Sequence, residues 1–131
     1  RLLARPKTKD YGRLSIAAQW RADVKRLFDL PPRAFTPPPK VTSTVVQLIP
    51  RAEPLFPADG TMLERVTAAA FGQRRKMLRQ SLRQVSVQAE EILVAAGIAP
   101  TARGEELSIE QFCTLARAFK EKGAIAPRAG L

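Results

Sequence analysis

Prolines divide this chain more sharply than any other residue type. Eight of the eleven prolines lie between Pro31 and Pro57, and three of them are consecutive, at positions 37–39. A proline fixes φ and lacks a backbone N–H, so three in a row exclude both a helix interior and a central strand. The pattern therefore predicts two packed segments joined by a stiff connection, which ends in a linker at residues 51–60.

The first segment is predicted to contain one helix and two strands. Apolar residues favour a short helix at 14–20, followed by a strand at 23–30. Residues 41–49 are mostly β-branched and predict a second strand. Two strands are marginally stable without partners. We therefore expect this αββ segment, residues 1–50, to be the end of a larger domain whose earlier part precedes Arg1.

The pattern after the linker is helical. Thr61 and Glu64 have the spacing of a capping box, which predicts a helix start. If this helix continued without a break to Val85, Arg74 would lie on its apolar face. Because that placement is unfavourable, we expect a break or kink near Gly72.

Two further helices are predicted in the second segment. One extends over residues 86–96 and stops at Gly97, since glycine favours the left-handed conformation that ends helices. The other begins with a capping box at Ser108 and ends near Gly123. Residues 61–131 are thus predicted to form a small helical domain.

The composition removes several kinds of functional site. The chain has one cysteine and no histidine. A structural zinc site is therefore excluded, because its four Cys or His ligands are not available. A disulfide framework and a His-based catalytic triad are excluded as well. We expect no metal, a reducing compartment such as the cytoplasm, and a buried, apolar role for Cys113. No apolar run approaches the roughly 20 residues that span a bilayer, so no membrane partner is expected.

A cationic stretch at residues 71–83 is the clearest indication of function. It holds five cations and no acid, in a chain with a formal net charge of +10. These cations are Arg74, Arg75, Lys76, Arg79 and Arg83. One interpretation is a solvated helix face, but such a face usually mixes charge signs. The other is a surface for nucleic-acid phosphates, although charge alone does not distinguish RNA from DNA.

The loop that contains the three consecutive prolines begins at Phe35 and ends at Lys40. Prolines restrict the backbone, so Phe35 would be ordered at a small entropic cost and would suit stacking of an unpaired base. Lys40 would then reach the adjacent phosphate. The alternatives are a surface turn that enters a strand, or a polyproline ligand for an adaptor domain.

Four motifs in this order resemble the bacterial KsgA (RsmA) family of rRNA adenine dimethyltransferases, over nearly the whole chain. They are Tyr-Gly-Arg-Leu-Ser at 11–15, Phe-Thr-Pro-Pro-Pro-Lys-Val-Thr-Ser at 35–43, Phe-Gly-Gln-Arg-Arg-Lys-Met-Leu-Arg-Gln-Ser-Leu at 71–82, and Gly-Ile-x-Pro-x-x-Arg-x-Glu-x-Leu-Ser at 97–108. The Phe-x-Pro-Pro-Pro-Lys-Val and Gln-Arg-Arg-Lys parts are the specific ones. The resemblance implies the terminal helix and strands of a Rossmann-like methyltransferase domain, followed by a small all-helical domain.

The resemblance also implies an activity. Members of the family use S-adenosylmethionine to dimethylate N6 of two adjacent adenines in the 3′-terminal hairpin of 16S rRNA, during assembly of the small ribosomal subunit. By the same resemblance, Phe35 stacks on the target adenine, and Arg74, Arg75 and Lys76 dock on rRNA. Lys40, Arg79 and Arg83 are expected to extend that surface on the basis of this sequence alone, and not of the resemblance.

The cofactor loop and catalytic loop of the family are expected upstream of Arg1, so no cofactor contact is assigned to this chain. The chain alone is not expected to transfer methyl groups, and the whole protein is expected to act as a monomer. Two alternatives stay open: an RNA-binding or ribosome-assembly module without enzymatic activity, and an Erm-like methyltransferase that acts on large-subunit rRNA.

Overall fold

The computed structural model describes residues 2–31, 33 and 43–123, and its secondary structure follows the predicted order. The longer elements are α1 (Arg13–Arg21), β1 (Ala22–Leu30), β2 (Ser43–Pro50), α2 (Gly60–Gly72), α3 (Leu78–Ser81), α4 (Ala89–Ala95) and α5 (Ile109–Ala118). Short 3₁₀ turns lie at Leu82–Gln84 and Gly104–Glu106, and a π-helical turn at Phe119–Gly123 follows α5.

The two predicted strands pair as an antiparallel ribbon. Ala22 lies opposite Pro50 at one end and Leu30 lies opposite Ser43 at the other. The register shifts between Arg26 and Phe28, which marks a β-bulge. Several large apolar side chains of the ribbon are solvent-exposed, Phe28 by 54%. Both strands are confirmed, and the start predicted for the second, at 41–42, lies outside the described residues.

The first helix shares its hydrophobic core with the helices of the second half. Tyr11, Ile16 and Trp20 are buried in one cluster with residues of α2 and α5. The Trp20 Nε1–H donates to the Phe56 carbonyl oxygen at 2.7 Å, which fastens the linker onto α1. A division into domains at 51–60 stays a prediction, since residues on both sides of that linker contribute to this core.

The start of α2 differs from the prediction. Asp59 is the N-cap, because its carboxylate accepts the Met62 N–H at 2.9 Å. Thr61 therefore lies inside the first turn, and the capping box predicted for Thr61 and Glu64 is wrong. Lys120 Nζ lies 3.2 Å from the same Asp59 carboxylate, and these two donors lower the pKa of Asp59.

The predicted break at the end of α2 is confirmed. Gly72 is the last residue of the helix, and Gln73 leaves helical geometry with φ −126° and ψ 63°. The chain then turns through residues 73–77 before α3 begins at Leu78. Leu78 N–H donates to the Ala102 carbonyl oxygen at 2.7 Å, which anchors the far end of this turn.

The last two helices follow their sequence signals. Gly97 has φ +77°, the left-handed conformation expected at a helix stop, although α4 begins at Ala89, three residues later than predicted. At the start of α5, the Ser108 hydroxyl accepts the Gln111 N–H at 3.1 Å, and the Gln111 side chain accepts the Ser108 N–H at 2.9 Å. This reciprocal pair confirms the second capping box.

Cys113 is buried in α5, and burial raises the pKa of its thiol to about 11. Because the thiolate is the reactive form, we expect Cys113 in the folded protein to resist alkylation at pH 8. It should react once the chain is unfolded in guanidinium chloride. Mass spectrometry after timed exposure to iodoacetamide tests this, and rapid modification of the native protein would contradict the burial.

Candidate nucleic-acid interface

The five predicted cations do not share one helix face. Because α2 ends at Gly72, three of them lie in the turn at residues 73–77, one lies in α3, and one lies in the 3₁₀ turn after it. In this order they are Arg74, Arg75 and Lys76, then Arg79, then Arg83. The break therefore separates them into groups with different surroundings.

Arg74 is half-buried and engaged within the protein. Its Nη2–H donates to the backbone carbonyl oxygen of Tyr11. The guanidinium carbon also lies 5.3 Å from the centre of the Phe71 ring, within the range of a cation–π interaction. Arg74 thus contacts both the preceding helix and the turn before α1.

Arg75 and Lys76 are exposed in the same turn. Within residues 2–31, 33 and 43–123, no carboxylate lies within ion-pair distance of either side chain. Their backbone is nevertheless ordered, because Lys76 N–H donates to the Gln73 carbonyl oxygen at 3.0 Å. They are two unpaired positive charges on a turn that is fixed at both ends, an arrangement that suits anionic oxygens.

The two cations further along the chain have less open surroundings. Arg79 is half-buried, and its backbone N–H donates to the Pro100 carbonyl oxygen at 3.1 Å. Arg83 is exposed but lines a groove of about 570 Å³ together with Glu90 and Glu91. These carboxylates reduce the positive potential near Arg83, so it contributes less to a phosphate-binding surface than Arg75 or Lys76.

The comparisons with known proteins identify the family. The sequence model of the family described as ribosomal RNA adenine dimethylase matches residues 1–121. The chain belongs to this family. The resemblance found from the four motifs is therefore confirmed.

Curated relatives within this family are close in sequence but longer. Ribosomal RNA small subunit methyltransferase A of Paramagnetospirillum magneticum is 64% identical over 119 residues, which cover 91% of this chain and 42% of the relative. The protein of the same name from Rhodospirillum rubrum is 60% identical over 125 residues, covering 95% and 43%. The chain thus spans less than half the length of these relatives.

Solved structures agree on the fold. A dimethyladenosine transferase from Plasmodium falciparum superposes with a TM-score of 0.67 at 21% identity, covering 94% of this chain and 54% of that one. The 23S rRNA methyltransferase ErmE superposes with a TM-score of 0.57 at 27% identity, covering 88% and 50%. The fold of this chain is therefore shared with both of these enzymes.

Two of the predicted site residues cannot be placed. Phe35 and Lys40 lie outside the described residues, so their roles in base stacking and phosphate binding stay predictions.

In the part of the chain that the structure describes, no glycine-rich loop joins a strand to a helix, and we assign no cofactor contact there. The same part contains no cluster of three potential metal ligands. None of its helices is both long and apolar enough to cross a membrane.

Sequence reasoning missed two cations near Arg74. Lys9 and Arg13 line a pocket of about 350 Å³ together with Arg74, Phe71 and Asp10. Lys9 and Arg13 are about 60 residues from Arg74 in sequence and come close to it only through the packing of α1 on α2. Tyr11 lies between these two cations in the sequence, and its burial fixes the turn that carries both of them.

Proposed function

We propose that this chain is the rRNA-docking part of an S-adenosylmethionine-dependent enzyme. The reaction is N6-dimethylation of two adjacent adenines in the 3′-terminal hairpin of 16S rRNA, during assembly of the small ribosomal subunit. The observation that carries the proposal is the exposed pair Arg75 and Lys76, which has no carboxylate within ion-pair distance among the described residues, in a chain that the dimethylase family matches over residues 1–121.

Docking follows from the geometry of the turn that holds this pair. A guanidinium presents a planar fork that matches two phosphate oxygens, and an ammonium acts as a compact point charge. Both groups sit on a backbone held by hydrogen bonds at Gln73 and Leu78, so little backbone conformational entropy is lost when RNA binds. Arg79 and Arg83 extend the same surface towards neighbouring phosphates, and Lys40 binds a phosphate next to the target base.

The chemistry needs a second portion of the protein. The methyl donor binds to sequence outside this chain, where it supplies the electrophilic methyl group. Phe35 stacks on the target adenine and holds its amino group in position, and such positioning supplies much of the rate in a reaction of this kind. The partner is 16S rRNA in the immature small subunit, and the enzyme acts as a cytoplasmic monomer.

The proposal is tested by methylation with the whole enzyme. Radiolabelled S-adenosylmethionine is supplied with either small or large ribosomal subunits that lack the modification, and primer extension locates the altered adenines. We expect two adjacent dimethyladenines near the 3′ end of the small-subunit rRNA. Methylation of large subunits alone would favour the alternative suggested by the likeness to ErmE. RNA binding without methyl transfer to either subunit would favour an assembly module.

Phe35→Ala separates the role of the ring from docking. Stacking of a base on an aromatic side chain contributes about 1–3 kcal/mol, so methylation should fall about 5- to 150-fold. Affinity for rRNA should change little, because the phosphate contacts remain. Parallel rate and filter-binding measurements make this comparison, with Phe35→Tyr as the control that keeps a ring. An equal loss in both measurements would show that Phe35 is merely structural.

A further inference from the structure

We propose that Arg74 is a positioning residue that fixes the turn at residues 73–77 against the start of α1, and that it is not itself a phosphate contact. This goes beyond the proposed function, because it assigns neighbouring cations of one motif to different tasks. Arg75 and Lys76 face outward for RNA, whereas Arg74 holds the backbone from which they project.

The first observation is the hydrogen bond that crosses the chain. Arg74 and Tyr11 are 63 residues apart in sequence, yet the guanidinium of Arg74 donates to the Tyr11 carbonyl oxygen. A carbonyl oxygen buried beside the core needs a donor, and a charged donor forms a stronger bond than a neutral one. The bond therefore fixes the turn at 73–77 against the turn that precedes α1.

The second observation is the stack of aromatic rings beneath the guanidinium. Arg74 covers the Phe71 ring, and Phe71 meets Tyr11 edge-on with ring centres 5.9 Å apart. Phe71 also lies 5.7 Å from Phe112 of α5. The Tyr11 hydroxyl donates to the Leu107 carbonyl oxygen at 2.8 Å, which anchors the same group at its far side. Arg74 is thus the outermost member of a packed column that reaches the core.

These contacts compete with a phosphate for the same side chain. To bind RNA in the way Arg75 can, Arg74 would have to leave a carbonyl oxygen without its donor and uncover the Phe71 ring. A lysine would keep a single positive charge and one hydrogen bond, but it lacks the planar group that covers a ring. Arg74→Lys should therefore restore only part of what Arg74→Ala removes.

The test compares Arg74→Ala, Arg74→Lys and Arg75→Ala in the whole enzyme. For Arg74→Ala we expect a melting temperature lower by about 5 °C, and weaker rRNA binding by the same factor at every salt concentration. The slope of log affinity against log salt should equal that of the unmodified enzyme. Arg74→Lys should recover about half of the loss in melting temperature. Arg75→Ala should leave the melting temperature within about 1 °C and flatten the slope by about 0.7–0.9.

The outcomes separate this inference from the proposed function. A slope flattened by Arg74→Ala as much as by Arg75→Ala would overturn the positioning role, whatever the melting temperature. An unchanged melting temperature for Arg74→Ala would overturn it too. If Arg74→Ala does not fold, Arg74→Lys decides by the same two readouts. A slope unchanged by Arg75→Ala would instead refute phosphate docking through Arg75 and leave the positioning role of Arg74 unaffected.

Discussion

Replacing both Arg75 and Lys76 with alanine is expected to lower kcat/KM for rRNA methylation about a hundredfold near 0.1 M salt. Each phosphate contact at that salt concentration raises the affinity for RNA roughly tenfold through release of counterions. The loss should appear in KM, while kcat at saturating subunits stays close to that of the unmodified enzyme, because neither side chain touches the reacting atoms. Initial rates at a range of subunit concentrations provide the measurement.

A control of equal charge makes this prediction specific. Lys25 and Arg26 in β1 are also adjacent cations, but each lies within ion-pair distance of a carboxylate, that of Asp23 or Asp29. Their replacement by alanine removes the same net charge and should leave KM within about twofold, since those charges are already neutralised locally. Equal losses in the two double variants would mean that total charge, and not the turn at residues 73–77, governs binding.

Phe112→Ala is expected to lower the free energy of unfolding by about 3–5 kcal/mol. The Phe112 ring is fully buried and packs against Phe71, so its removal leaves a cavity where α5 meets the end of α2. Urea unfolding followed by circular dichroism measures the change. Val87→Ala is the control, because the Val87 side chain is 91% exposed, and a change within about 0.5 kcal/mol is expected there. A loss below 1 kcal/mol for Phe112→Ala would contradict the packing of this core.

Local signals in the sequence predicted the elements that local interactions form. The break at Gly72 followed from a cation that an unbroken helix would have placed on its apolar face. The cap at Ser108 and the stop at Gly97 depend on residues within a few positions of each other. The second strand followed from its β-branched residues, whereas the register between the two strands was not predicted. These features need no knowledge of distant contacts.

Features that depend on tertiary packing were not predicted. Thr61 has a capping-box spacing as good as that of Ser108, but the ion pair between Asp59 and Lys120 helps to place the cap at Asp59. Arg74 looked like its cationic neighbours because its acceptor, the Tyr11 carbonyl oxygen, lies far away in sequence. The nearness of Arg83 to acidic residues of α4 likewise depends on how α4 packs against α3.

The salt dependence of rRNA binding tests the central claim most directly. The affinity of the whole enzyme for small-subunit rRNA is measured from about 50 to 300 mM salt, with and without the Arg75→Ala and Lys76→Ala changes together. We predict that the double variant flattens the slope of log affinity against log salt by about 1.4–1.8, as expected for two lost phosphate contacts. Parallel lines of equal slope for the two proteins would contradict docking through this turn.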